Sequence, residues 1–211
     1  MQIMQITSSS PVAPATGREA KRERTLRRVE KAAVALALQH GTEHVTVDQI
    51  CEASDISARS FFNYFGSKDA AIVGTASKIP PQELLDAFAA GHGPVLGDFL
   101  HCIVESVRLH DPDIDLIRAR RELFEREPHL AMQRMTRESN ARDIYRKVIA
   151  ERLRRENPDM AHAEIEDEAA IAVAIALGVV HAAGSRWIES GGTSDIDPLI
   201  SQALERVRRL V

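Results

Sequence analysis

Apolar residues recur every three to four positions along most of the chain. From Glu19 to Gln39 they fall at Leu26, Val29, Ala33, Leu36 and Ala37, a helical stripe that Gly41 closes. Leu96, Leu100, Ile103 and Val107 repeat the spacing. So do Leu199/Ile200, Ala203/Leu204, Val207 and Leu210/Val211 in a last helix over 198–210. Further helices are predicted near 81–90, 95–110, 113–126, 129–156 and 164–190. Pro80-Pro81, Gly91–Pro94, Asp111-Pro112, Pro128, Asn157-Pro158 and Gly191-Gly192 punctuate them. Strand alternation is almost absent from the pattern and no internal repeat occurs, so the predicted class is all-α. Residues 1–17, rich in Ser, Pro, Ala and Thr and without a periodic face, predict a flexible tail.

Residues 46–73 break into shorter pieces. Thr46 and Gln49 have the spacing of a capping box, opening a helix through Cys51 to about Ala53. Ser54-Asp55 makes a turn. Ser57 then caps a second short helix to about Tyr64, and Ser67 caps a third through Val73. Short helix, tight turn, short helix is the layout of a helix-turn-helix, whose second helix enters the major groove of DNA. Val47, Ile50, Cys51, Ile56, Phe61 and Phe65 supply the apolar inner face that keeps such a pair rigid. Ser57, Ala58, Arg59, Ser60 and Asn63 supply a short, polar outer face.

The outer face has the chemistry for reading bases. Arginine can donate two hydrogen bonds to guanine, and asparagine can pair bidentately with adenine. Arg59 is thus either a base reader or else a phosphate contact or solvated side chain. The hydroxyls of Thr46, Ser57, Ser60 and Tyr64 suit phosphate oxygens. Lys68, at a helix N-terminus, adds a charge beside free N–H groups.

Charge sharpens this picture. The net charge of −4 argues against a general binder of polyanions, but it is unevenly spread. Residues 1–78 carry ten Lys/Arg against eight Asp/Glu, whereas residues 79–211 carry seventeen against twenty-three. Arg18 to Arg28 holds six basic residues and two acidic ones, which is either a DNA-contacting arm or a solvated helix start.

The string SARSFFNYFGSKDAAI resembles the recognition helix and following helix start of the tetracycline-repressor (TetR) family of bacterial regulators. The family's small residue, apolar, aromatic, variable, Tyr or His, Phe, two residues and Lys read here as Ser60, Phe61, Phe62, Asn63, Tyr64, Phe65, Gly66-Ser67 and Lys68. The upstream LALQHGTEHVTVDQICEASDIS is similar to that family's first two helices, and the likeness covers roughly residues 20–75. Phe62 stands where the family often has a phosphate-touching tyrosine, which shifts that role toward Tyr64. Gly66 replaces a usual proline.

The resemblance implies a homodimer with an N-terminal DNA-binding domain and a helical C-terminal domain. It also implies a double-stranded DNA operator as partner and a small-molecule effector that releases the protein from it. The expected organisation is a tail over 1–17, a DNA-binding domain over 18–78 and an effector-binding and dimerisation domain over 79–211. The uncharged run Ala169–Ser185 is short for a membrane span. Its apolar part predicts a four-helix dimer interface with the last helix, placing Ile175, Val179, Trp187, Leu199, Ala203 and Val207 at the contact. Phe88, Phe99, Ile103, Phe124 and Tyr145 are the candidate effector-pocket set.

Other chemistries find little support. His101 and Cys102 are adjacent, so they point to different helix faces, and with Glu105 they complete no metal set. His181 is expected in a core or interface. Gly91-His92-Gly93 reads as a loop, and no nucleophile-base pair or phosphate loop marks an enzyme. No cofactor and no membrane association are expected, and the expected compartment is the cytoplasm. The alternative reading is a helical module that binds a small molecule or a protein without recognising DNA.

Overall fold

The computed structural model describes residues 17–74, 79–109 and 112–210. The predicted tail lies outside them except for Gly17, which opens the first helix. The expected boundary at residue 78 also falls outside them.

Eleven helices make up the described residues. The first four are α1 (Gly17–His40), α2 (Val47–Ser54), α3 (Ala58–Tyr64) and α4 (Lys68–Val73), with a 3-10 turn over Thr42–His44 after α1. The rest are α5 (Gln82–Ala90), α6 (Val95–Leu109), α7 (Ile114–Arg126), α8 (Pro128–Arg137), α9 (Ser139–Glu156), α10 (His162–Glu189) and α11 (Ile196–Arg208).

The local start signals act as the sequence reads. Thr46 and Gln49 form a reciprocal capping box on α2, and the hydroxyls of Ser57 and Ser67 accept the N–H groups of Ser60 and Ala70. One expected helix is divided. The predicted 129–156 helix breaks at Glu138 into α8 and α9, with neither Gly nor Pro at the break. The Ser139 hydroxyl donates to the Thr136 carbonyl and the Arg142 guanidinium to the Met135 carbonyl. Side-chain donors thus take carbonyls that a continuous helix would use.

Two apolar clusters organise the molecule. The larger lies among α5, α6, α9, α10 and α11, around Phe99, Ile149, Ile165, Ala169 and Ala176. The smaller lies under α1–α4, around Val29, Ile50, Phe61, Ile72 and Val73, but it also takes in Leu123 from α7 and Leu130 from α8. Two leucines from beyond residue 78 therefore complete the core beneath the helix-turn-helix.

Helix α10 is long and apolar enough to cross a membrane by length and composition alone. It packs along α9 and α11 and turns Ile165, Ala169, Val173, Ala176, Val179 and Ala183 inward. Ala170, Ile171, Ala174, Gly178, His181 and Ala182 face outward and are exposed or half-buried in the single chain.

Candidate nucleic-acid interface

The helix-turn-helix is held from three directions. Between α2 and α3, Asp55 adopts a left-handed conformation (φ 48°, ψ 56°), and the Ile56 N–H donates to the Cys51 carbonyl at 3.1 Å. Asp tolerates this region better than most side chains. The Arg28 guanidinium of α1 donates to the Asp55 carbonyl at 3.3 Å, tying the long helix to the turn. Beneath the turn the Ser54 hydroxyl donates back to the Ile50 carbonyl, and Phe61 is fully buried.

The four aromatics take different positions. Phe61 stacks on Phe65 with ring centroids 5.6 Å apart, and both pack in or against the smaller core. Phe62 meets Phe61 edge-on and is 53% exposed. The half-buried Tyr64 ring lies 5.9 Å from the Arg22 guanidinium of α1, so the basic start of that helix sits beside the end of α3.

Ala58, Arg59 and Asn63 are exposed on α3, and Ser60 is half-buried beside them. The Thr46 and Ser57 hydroxyls already serve as helix caps: Thr46 donates its own to Gln49 at 3.2 Å, and Ser57 lies 3.0 Å from the Ser60 hydroxyl. A phosphate would share them.

Lys68 is differently placed. Its ammonium donates to the carbonyls of Thr42 and Val45, both at 2.9 Å, and reaches that of Glu43 at 3.4 Å. It therefore fastens the start of α4 to the turn after α1.

Sequence reasoning did not single out the side chains that join this unit to the rest. The Arg120 guanidinium of α7 donates to the Ile72 carbonyl at 3.0 Å and to the Glu30 carboxylate at 3.2 Å. Arg134 of α8 donates to the Val73 carbonyl at 3.3 Å. Lys31 pairs with Asp113 at 2.5 Å, and Glu127 accepts from the Thr42 N–H and hydroxyl. Gly74 ends α4 at φ 91°, and a Cβ there would fall 2.8 Å from the Arg120 guanidinium carbon. Burial lowers the pKa of Arg120, partly offset by Glu30. A readable signal existed: Arg120 lies on the same stripe as the buried Leu116 and Leu123.

A cavity of about 450 Å³ opens beside this junction. Leu26, Arg27 and Glu30 of α1 form one wall, and α6 to α10 supply the others through residues such as Ile103, Leu116, Tyr145 and Val180. Arg120, Arg134 and Arg142 border it as well.

Of the expected pocket set, Ile103 and Tyr145 line the cavity. Phe99 and Phe88 stand behind Tyr145 in a run of edge-on rings, each step 5.3 Å. Phe124 packs against the smaller core instead. Burial first, with nearby Cys102 and Glu138, pushes the Tyr145 phenol up to about 12, and burial pushes the Cys102 thiol up to about 11. Both stay protonated at neutral pH, and Tyr145 keeps its O–H to offer. Among the described residues no group of His, Cys, Asp or Glu could hold a metal ion.

The expected contact residues also divide. Ile175, Val179, Ala203 and Val207 line one surface groove between α10 and α11. Leu199 packs on the larger core. Trp187 lies where a Cβ on Gly192 would come within 3.2 Å of its ring, on the side of Ile114.

Two family models match the chain. The model described as bacterial regulatory proteins of the tetR family matches residues 31–71, and that of the MftR C-terminal domain matches residues 94–211. The chain belongs to the tetR family. It is 31% identical over 153 residues to the HTH-type transcriptional regulator TcmR of Streptomyces glaucescens, covering 69% of this chain and 67% of that one. It overlays at TM-score 0.45 and 20% identity on Thermus thermophilus FadR, a TetR-family repressor solved with lauroyl-CoA. That overlay covers 85% of this chain and 91% of the other, and is too loose to bear on the site. As a tetR-family member the protein is a transcriptional regulator, and α2–α3 is its helix-turn-helix.

Proposed function

We propose that the protein is a dimeric, ligand-responsive repressor that binds a palindromic operator and leaves it when a small molecule occupies the cavity beside α1. The carrying observation is that one helix serves both ends. Helix α1 forms a wall of the cavity through Leu26, Arg27 and Glu30, and touches the helix-turn-helix through Arg22 and Arg28. A ligand that moves α1 would move α3. Such a ligand releases DNA only if it binds the released state more tightly.

The outer face of α10, with the groove lined by Ile175, Val179, Ala203 and Val207, supports pairing with a second copy. A two-fold dimer would set its α3 helices against half-sites about 34–36 Å apart. The cytoplasm, where the DNA lies, is then the site of action. In this reading Arg59 and Asn63 contact bases, while Thr46, Ser57, Ser60 and Tyr64 contact phosphates.

The test is a mobility shift with the DNA flanking the protein's own gene, followed by selection from random duplexes. Arg59→Ala and Asn63→Ala are expected to relax preference at one base pair each, by about 1–3 kcal/mol, with unchanged thermal stability. Equal affinity of parent and variants for every duplex sinks the reading.

A further inference from the structure

Phe62 is the one large apolar side chain among the described residues of α3 that lies more than half exposed. Arg59 lies one turn before it on the same outward face, and the exposed Asn63 follows it. Its ring stands edge-on to the buried Phe61, at 86° and 5.6 Å, so its orientation is set from below. An exposed phenyl gains nothing from water, and without a hydroxyl it cannot bond a phosphate oxygen. It gains free energy only against an apolar group on the partner. On the wall of the major groove that group is the C5-methyl of thymine, the apolar mark of an A·T pair.

Resting on the proposed reading of DNA by α3, we propose that Phe62 is a specificity-determining residue that packs on a thymine methyl in each half-site. The aromatic adds to the polar contacts of Arg59 and Asn63 a position that tells A·T from G·C by shape. The same ring laid on a deoxyribose at the groove edge would add affinity without preference, and the two differ in one measurement.

Duplexes selected by the full-length protein are remade with each thymine replaced in turn by uracil, which removes only the methyl. Affinities are measured at one salt concentration for the parent, Phe62→Ala and Phe62→Tyr. The expected result is one thymine per half-site at which uracil weakens the parent about fourfold, the worth of one buried methyl. The penalty is retained in Phe62→Tyr and absent in Phe62→Ala. Because Phe62 is exposed, Phe62→Ala should keep the parent's melting curve. Should it not, Phe62→Tyr, which keeps the ring, still reports on the methyl contact. Uracil that is silent at every position, or a penalty unchanged in Phe62→Ala, overturns the assignment while leaving operator recognition standing. Selection that yields no preferred sequence overturns both.

Discussion

The helix-turn-helix and the junction behind it are built in opposite ways. Helices α2, α3 and α4 begin at Thr46, Ser57 and Ser67, whose caps act within three residues along the chain. The junction relies on guanidiniums reaching carbonyls and a carboxylate far away in sequence: 48 positions from Arg120 to Ile72, 61 from Arg134 to Val73 and 90 from Arg120 to Glu30. A second such clamp lies in the larger core. The fully buried Arg152 of α9 binds Asp98 and Glu156, donates to the carbonyls of Phe88 and Gly93, and sits 4.9 Å from the Phe88 ring. The reading head has locally capped helices, and its attachment adds long-range polar contacts to Leu123 and Leu130, which complete its core.

The contrast can be broken most directly at Arg152. Arg152→Ala takes their donor from Asp98 and the Gly93 carbonyl and leaves Glu156 and the Phe88 carbonyl to Arg155 and the Gly91 N–H. The expected loss is about 3–5 kcal/mol in urea denaturation. A loss no larger than that of a surface substitution would remove the clamp from the account. Arg120→Ala should cost roughly 3 kcal/mol, since its ion pair with Glu30 keeps slight exposure. Arg121→Ala, one position on and paired with Glu125 at the surface, should cost under about 0.5 kcal/mol. Similar losses for these two neighbours would refute the view that the junction rests on Arg120.

Lys68 tests which side of the comparison a residue belongs to. With its ammonium on three carbonyls, Lys68→Met should cost about 1.5–3 kcal/mol of stability and leave the salt dependence of DNA binding unchanged. A flatter salt slope without loss of stability would return Lys68 to the phosphate contact expected from sequence.

Among the contacts across the junction, the smallest effect is expected at Asp113, which caps α7 and pairs with Lys31 of α1. Burial pushes its carboxyl up. Lys31, the Leu116 N–H and the charge of Arg27 prevail and hold it below the usual carboxylate range. Its contribution is complete above the unfolded value of about 3.9 and fades as pH falls through the lower folded value. Asp113→Asn keeps the capping oxygen but not the charge. The variant should lose less than about 1 kcal/mol at neutral pH and show a shallower fall in stability below about pH 4, read as urea midpoints.

Most of the recognition end was legible in the chain itself, and the reason is range. Caps, turns and apolar stripes depend on residues within one or two helical turns, so Thr46, Ser57, Ser67 and the buried Phe61 could be read from their neighbours. Even the division of the aromatics followed, since residues three and four apart share a helix face. The pocket set fared unevenly for the opposite reason. Phe88, Phe99, Phe124 and Tyr145 are alike in the sequence, and only packing sends Phe124 to one core and Phe88 and Phe99 behind Tyr145 in the other. The break at Glu138 was also invisible, because hydroxyl and guanidinium donors, without a Gly or Pro, end that helix.

Glu30, Arg120 and Arg152 carry a lesson between these cases. Each sits on an otherwise apolar stripe, which announces a buried charge but names no partner. Local free energies decided the capped helices of the recognition end and the exposed face of α3. Only the tertiary structure decided which carbonyl or carboxylate each buried guanidinium meets, because that choice depends on distances the chain sets after it has folded.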